Sequence, residues 1–144
     1  SNKEGRELNE RILDCAETLA NKESAELHVL NVWQFPLEPS MERELRSGGF
    51  DRMFLTMKEE MHRELDEVTR NISMPFETHM VKGVPYDVIT SFVHNHEVDL
   101  LIMGTVGRSG IPGFFIGNTA EKILSRVDSS VLTLKPKGFK LQVK

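Results

Sequence analysis

The stretch Asp99-Leu100-Leu101-Ile102-Met103-Gly104 decides the architecture. Four successive apolar residues leave no face to turn toward water, and the run stops at a glycine. Strands of this form are buried on both sides, as in parallel sheets covered by helices. Upstream, within Ala25 to Trp33, Leu27, Val29 and Asn31 alternate with His28, Leu30 and Val32, so this strand too carries apolar residues on both faces. Phe76 to Val81 and Ser130 to Leu134 read as two further strands, the second ended by Pro136.

Between the strands the apolar period changes to that of a helix. Leu8, Ile12, Cys15, Ala16 and Leu19 recur at helical spacing between Arg6 and Ala20, which puts one apolar stripe on an amphipathic helix. Cys15 is expected in the core as a small apolar residue. Asp51 to Asn71 repeats the pattern with Phe54, Met57, Met61, Leu65 and Val68, and the stripe Met53, Met57, Met61 is expected to pack inward. Gly83 and Pro85 open a third helix with Val88, Ile89, Phe92 and Val93 on its buried face. Asn118 is placed to cap a fourth carrying Ala120, Ile123, Leu124 and Val127. The stretch with Pro36, Pro39, Gly48 and Gly49 is expected to be a long loop with little regular structure. The order α-β-α-β-α-β-α-β predicts an α/β protein: an open, mostly parallel twisted sheet with helices on both faces. A chain of this kind is expected to open with a strand, yet this one opens with a helix.

Composition narrows the function. The 144 residues fit one domain, expected over residues 3–137 with a tail at 138–144. Eighteen Lys and Arg against 22 Asp and Glu give a net charge of −4, which argues against a nucleic-acid partner, since such proteins carry a basic footprint. Cys15 is the single cysteine, excluding an intramolecular disulfide and a cysteine-built zinc site. No apolar run approaches the roughly 20 residues of a membrane span, and no signal peptide opens the sequence, so a soluble cytoplasmic protein is expected. The five histidines, His28, His62, His79, His94 and His96, are scattered. Only His94 and His96 are close, and residues two apart diverge on a helix; no metal site is expected. No nucleophile elbow or spaced Ser/His/Asp set stands out, so no catalytic residue is assigned.

The segment Met103-Gly104-Thr105-Val106-Gly107-Arg108-Ser109-Gly110 through Gly117-Asn118-Thr119 leaves a buried strand at its carboxyl end and enters a helix. Ligands of open α/β sheets bind at such places. Glycines let a backbone approach a ligand and aim N–H groups at it, and Arg108 adds a charge suited to phosphate. The spacing Gly104-x2-Gly107-x9-Gly117 is neither a Walker loop nor the Gly-x-Gly-x-x-Gly of dinucleotide binders. A tight surface turn is the competing reading of the same glycines.

That loop, together with the preceding strand, resembles the nucleotide loop of the universal stress protein family. Leu27-His28-Val29-Leu30, Lys82-Gly83-Val84-Pro85 and Val131-Leu132-Thr133-Leu134-Lys135-Pro136 resemble its second strand, the turn into its third helix and its last strand. The loop is most similar to the second half of the family's tandem-domain branch. The resemblance implies a Rossmann-like sheet of order 3-2-1-4-5 and a stress-response module that binds ATP or AMP, with Mg accompanying a triphosphate. Carried over by position, Met103, Gly104, Gly107, Arg108, Gly117, Asn118 and Thr119 would meet ribose and phosphates. Val29, taken as the end of its strand, would offer backbone groups to adenine. It further implies a homodimer through Val131–Leu134, or pairing with a tandem sister domain. Asn118 departs from the family's usual Ser or Thr. The family's first strand, with its aspartate at the adenine site, has no counterpart; residues before Lys3, or a strand from elsewhere, are expected to fill its place. Two alternatives stand beside this reading: an interaction protein with an empty loop, and a slow ATP hydrolase.

Overall fold

The computed structural model describes residues 3–34, 39–46, 51–105 and 118–137. In chain order these form α1 (Lys3–Glu23), β1 (His28–Trp33), α2 (Pro39–Arg46), α3 (Asp51–Thr69), β2 (Glu77–Lys82), α4 (Pro85–Asn95), β3 (Leu100–Gly104), α5 (Asn118–Leu124) and β4 (Ser130–Leu134). The alternation is the expected one, with one addition. The stretch read as irregular holds α2. Pro39 supplies a preset φ at the first helical position, where a missing N–H costs nothing. Met41-Glu42-Arg43-Glu44-Leu45-Arg46 is a run of strong helix formers.

Both strand pairings are parallel. β1 pairs with β2 from His28 opposite Glu77 to Trp33 opposite Lys82, and β3 pairs with β4 from Leu100 opposite Ser130 to Gly104 opposite Leu134. They form two two-stranded sheets. Helices cover two faces. Trp33 stands against Phe54 of α3, with ring centroids 5.5 Å apart, whereas His28 on the other side of β1 faces Phe92 of α4 at 6.0 Å. α1 packs on α3 and against β3 and β4, and α5 packs on α4.

The direction of the backbone groups follows from the bonds that close each ladder. Glu77 N–H donates to the Leu27 carbonyl and Gly83 N–H to that of Trp33. With a period of two, Leu27, Val29, Asn31 and Trp33 therefore face β2, and His28, Leu30 and Val32 present their N–H and C=O groups to the opposite edge. On β3 the bond from Thr105 N–H to the Leu134 carbonyl and that from Ser130 N–H to the Asp99 carbonyl leave Leu100, Ile102 and Gly104 facing away from β4. Among the described residues no strand pairs with either of these edges.

The core gathers Leu8 and Ala20 of α1, Leu27, Leu65 of α3, Val93 of α4, and Ala120 and Ile123 of α5. Ile123 is fully buried, and each such branched side chain contributes roughly 1.5–3 kcal/mol. The methionine stripe is less buried than expected: Met53 is 58% exposed, and Met57 and Met61 are half-buried. The three methionines lie in the first eleven residues of α3. Burial concentrates at its far end, at Leu65 and Thr69. Cys15 is half-buried and free rather than a core residue. Gly83 turns β2 into α4 with φ +158°, and a Cβ there would lie 2.7 Å from Val88 Cγ2, so only glycine fits. No described helix is long and apolar enough to cross a membrane.

Candidate functional site

The glycine-rich stretch 106–117 lies between β3 and α5 in the sequence and outside the described residues; the residues on either side of it are anchored. Thr105 is 4% exposed; its N–H and its Oγ1 both donate to the Leu134 carbonyl, at 3.0 and 3.3 Å. These two bonds fix the chain to β4 at the point where β3 ends. Beyond the loop, Ala120 and Ile123 seat α5 in the core. Gly104, the last residue of β3, has a packing reason for its identity: an added Cβ would lie 2.9 Å from Leu8 Cδ2 and 3.3 Å from Ile12 Cδ1. The glycine thus lets α1 cross close over the strand end.

The expected site residues divide into three groups. Met103 and Gly104 end β3, Thr119 is half-buried in the first turn of α5, and Asn118, expected as a cap, is that helix's first residue. Gly107, Arg108 and Gly117 lie outside the described residues. Val29 is a correction. It is the second residue of β1, not its end, and its backbone is committed to the ladder opposite Thr78. Near the carboxyl end of β1 the backbone groups turned away from β2 belong to Val32. Sequence alternation assigned side chains to faces but carried no information on which strand edge each amide would occupy.

The structure also assembles groups that the sequence left apart. His28 on β1 and His79 on β2 stand side by side, with His28 Nδ1 3.0 Å from His79 Nε2. Glu77 Oε2 lies 3.7 Å from the first nitrogen and 3.8 Å from the second. His96 and Phe92 of the α4 end complete the cluster: their rings stack at 3.8 Å, and Phe92 meets His79 edge-on at 4.8 Å. The His79 pKa is lowered from the usual histidine value, first by burial and then by the neighbouring imidazoles of His28 and His96, with Glu77 opposing. His79 is therefore held toward its neutral form.

Parallel strand pairs with helices on two faces define an open α/β protein of the Rossmann-like kind. The sequence profile described as the Universal stress protein family matches residues 4–135, and the chain belongs to that family. It is 36% identical over 66 residues to Universal stress protein E of Escherichia coli (strain K12), a match covering 46% of this chain and 21% of that protein. It is 29% identical over 91 residues to Universal stress protein MJ0531 of Methanocaldococcus jannaschii, covering 61% of this chain and 54% of that one. The chain thus matches about a fifth of the length of the Escherichia coli relative. Among solved structures, protein PA1789 of Pseudomonas aeruginosa PAO1 superposes with a TM-score of 0.75 at 24% identity, over 96% of this chain and 44% of that chain. A universal stress protein solved in complex with cAMP superposes with a TM-score of 0.55 at 23% identity, over 88% of this chain and 86% of that one.

Proposed function

We propose that this chain is a regulatory module of the stress response that binds an adenine nucleotide, ATP or AMP, on the loop between β3 and α5. The observation that carries the reading is the motif Gly104-x2-Gly107-x9-Gly117, set in a member of this family between two anchored ends. The cAMP complex of a protein of like fold supports the same ligand class.

The residues fit such a ligand. Val32 has a backbone N–H and C=O turned away from β2 near the carboxyl end of β1, a donor and acceptor suited to the edge of adenine. Glycine N–H groups of the loop and Arg108 would meet the phosphates, because fixed donors and a guanidinium favour a negative, multi-oxygen group. Met103, Gly104, Asn118 and Thr119 flank that position. A triphosphate would bring Mg, whose charge offsets that of the β- and γ-phosphates. Binding then biases the conformation of the loop and of the surface beside it. In this reading the module acts in the cytoplasm as a homodimer or beside a sister domain, joined through Val131–Leu134.

Gly117→Val tests the placement. A branched side chain there forces the loop away from the phosphates, so nucleotide affinity falls at least tenfold, about 1.4 kcal/mol, while the helical circular dichroism persists. Unchanged affinity in a folded variant would put the pocket elsewhere.

A further inference from the structure

We propose that His28, Glu77 and His79 form a binding site for a zinc-like divalent transition-metal ion at the amino ends of β1 and β2. The site owes its existence to strand register. His28 pairs with Glu77, and His79 follows two residues later along β2. A side-chain period of two puts all three on the face that α4 covers. The three candidate ligand atoms, His28 Nδ1, His79 Nε2 and Glu77 Oε2, are separated by 3.0, 3.7 and 3.8 Å. A tetrahedral zinc ion with bonds of about 2.0–2.2 Å holds its ligand atoms roughly 3.3–3.6 Å apart. Small side-chain rotations therefore convert the observed triangle into three corners of a tetrahedron.

The chemistry of the set agrees. His28 Nδ1 and His79 Nε2 face each other at 3.0 Å, a contact in which one nitrogen donates and the other accepts. A divalent ion takes both lone pairs and the carboxylate charge, each imidazole keeping its one proton on the nitrogen turned away from the ion, which for His28 is Nε2 beside Glu26. Two imidazoles and one carboxylate suit zinc and its neighbours, whereas calcium and magnesium call for sets built from oxygen. The other nitrogen of His28, Nε2, lies 3.4 Å from Glu26 Oε2. Carboxylates in that position orient a ligating histidine and raise its basicity. The cluster is open to entry: Glu77 is 72% exposed, and the two imidazoles are 20% and 24% exposed. Three protein ligands leave a fourth position for water, and the ring centre of His96 lies 5.5 Å from that of His79. This site lies at the opposite strand ends from those that lead toward the loop, and it does not depend on the nucleotide reading.

The test is titration of zinc chloride, and of cobalt(II) chloride as a spectroscopic probe, into the tag-free chain without nucleotide. One ion per chain and the visible absorption of tetrahedral cobalt are expected. His28→Gln and His79→Gln should each weaken binding by at least about 100-fold and Glu26→Gln by about tenfold, with His62→Gln and His94→Gln unchanged. If the ligand variants do not fold, histidine ring resonances of the unaltered protein decide: zinc should shift His28 and His79 and leave His62 and His94 in place. Absence of saturable one-to-one binding, unchanged affinity in folded His28→Gln and His79→Gln, or shifts centred on His62 or His94 would each overturn the site.

Discussion

Glu17 and Ser73 illustrate what single side chains contribute to this fold. Ser73 donates both its backbone N–H and its hydroxyl to Glu17 Oε1, at 2.7 and 2.6 Å, and so ties the segment before β2 to α1. These two bonds, the hydroxyl's first, lower the Glu17 pKa. A carboxylate whose pKa is lower folded than unfolded stabilises the fold fully above the unfolded value of about 4.3, and that stability is lost as pH falls through the lowered folded value. Glu17→Gln keeps an acceptor for Ser73 but cannot titrate. Its denaturation midpoint should therefore fall less steeply than that of the parent protein between pH 5 and pH 3; parallel curves would show that the pair does not carry this dependence. Neither partner was legible in the sequence, because 56 positions separate them and neither belongs to a periodic pattern. The same holds for His28 and His79, 51 positions apart, which only strand register unites. Gly104 was expected as a ligand-loop glycine; its fit against Leu8 emerged only from the packing of α1.

Among the elements, helices and strands with a sustained period were legible, and their ends were less so. The stripe from Leu8 to Leu19 announced α1, and the run Leu100 to Met103 announced β3. The eight residues of α2 are too few for a period to stand out beside two prolines and a glycine pair. Both α1 and α4 finish in the same way. Ala25 N–H returns to the Ala20 carbonyl and Ser24 N–H to that of Asn21, and Val98 and Glu97 make the matching bonds to Val93 and His94. These are Schellman motifs, in which the residue with positive φ is usually glycine. Here it is Ser24 at φ 52° and Glu97 at φ 48°. Ser24→Gly and Glu97→Gly relieve that backbone cost, and each is expected to raise stability by about 0.5–1 kcal/mol in chemical denaturation. A loss of stability in both would mean that the two ends are held by something other than these bonds.

At the scale of the whole molecule, the two parallel pairs leave strand edges whose backbone groups the described residues do not engage. On β4 the bonds made by Ser130 N–H and the Leu134 carbonyl point toward β3, so Val131 and Thr133 turn their N–H and C=O groups outward. In the dimer proposed above, this edge pairs with a second copy of itself in an isologous contact. Thr133→Pro removes an outward donor without touching the β3 ladder; light scattering should then show a dimer shifted to monomer, and a dimer that persists undiminished would move the interface elsewhere. The edges of β1 and β3 turned away from their partners pair with no strand among the described residues. What no periodicity disclosed is that Val32, not Val29, turns its backbone groups away from β2 near the end of β1. Adenine-nucleotide binding is the central claim, and calorimetric titration of the unaltered chain with ATP, AMP and sulfate tests it most directly. Saturable binding of ATP or AMP at one site per chain, tighter than that of sulfate, is the expected result. No binding of either nucleotide at millimolar concentration would contradict it and leave the loop as an empty turn in an interaction protein.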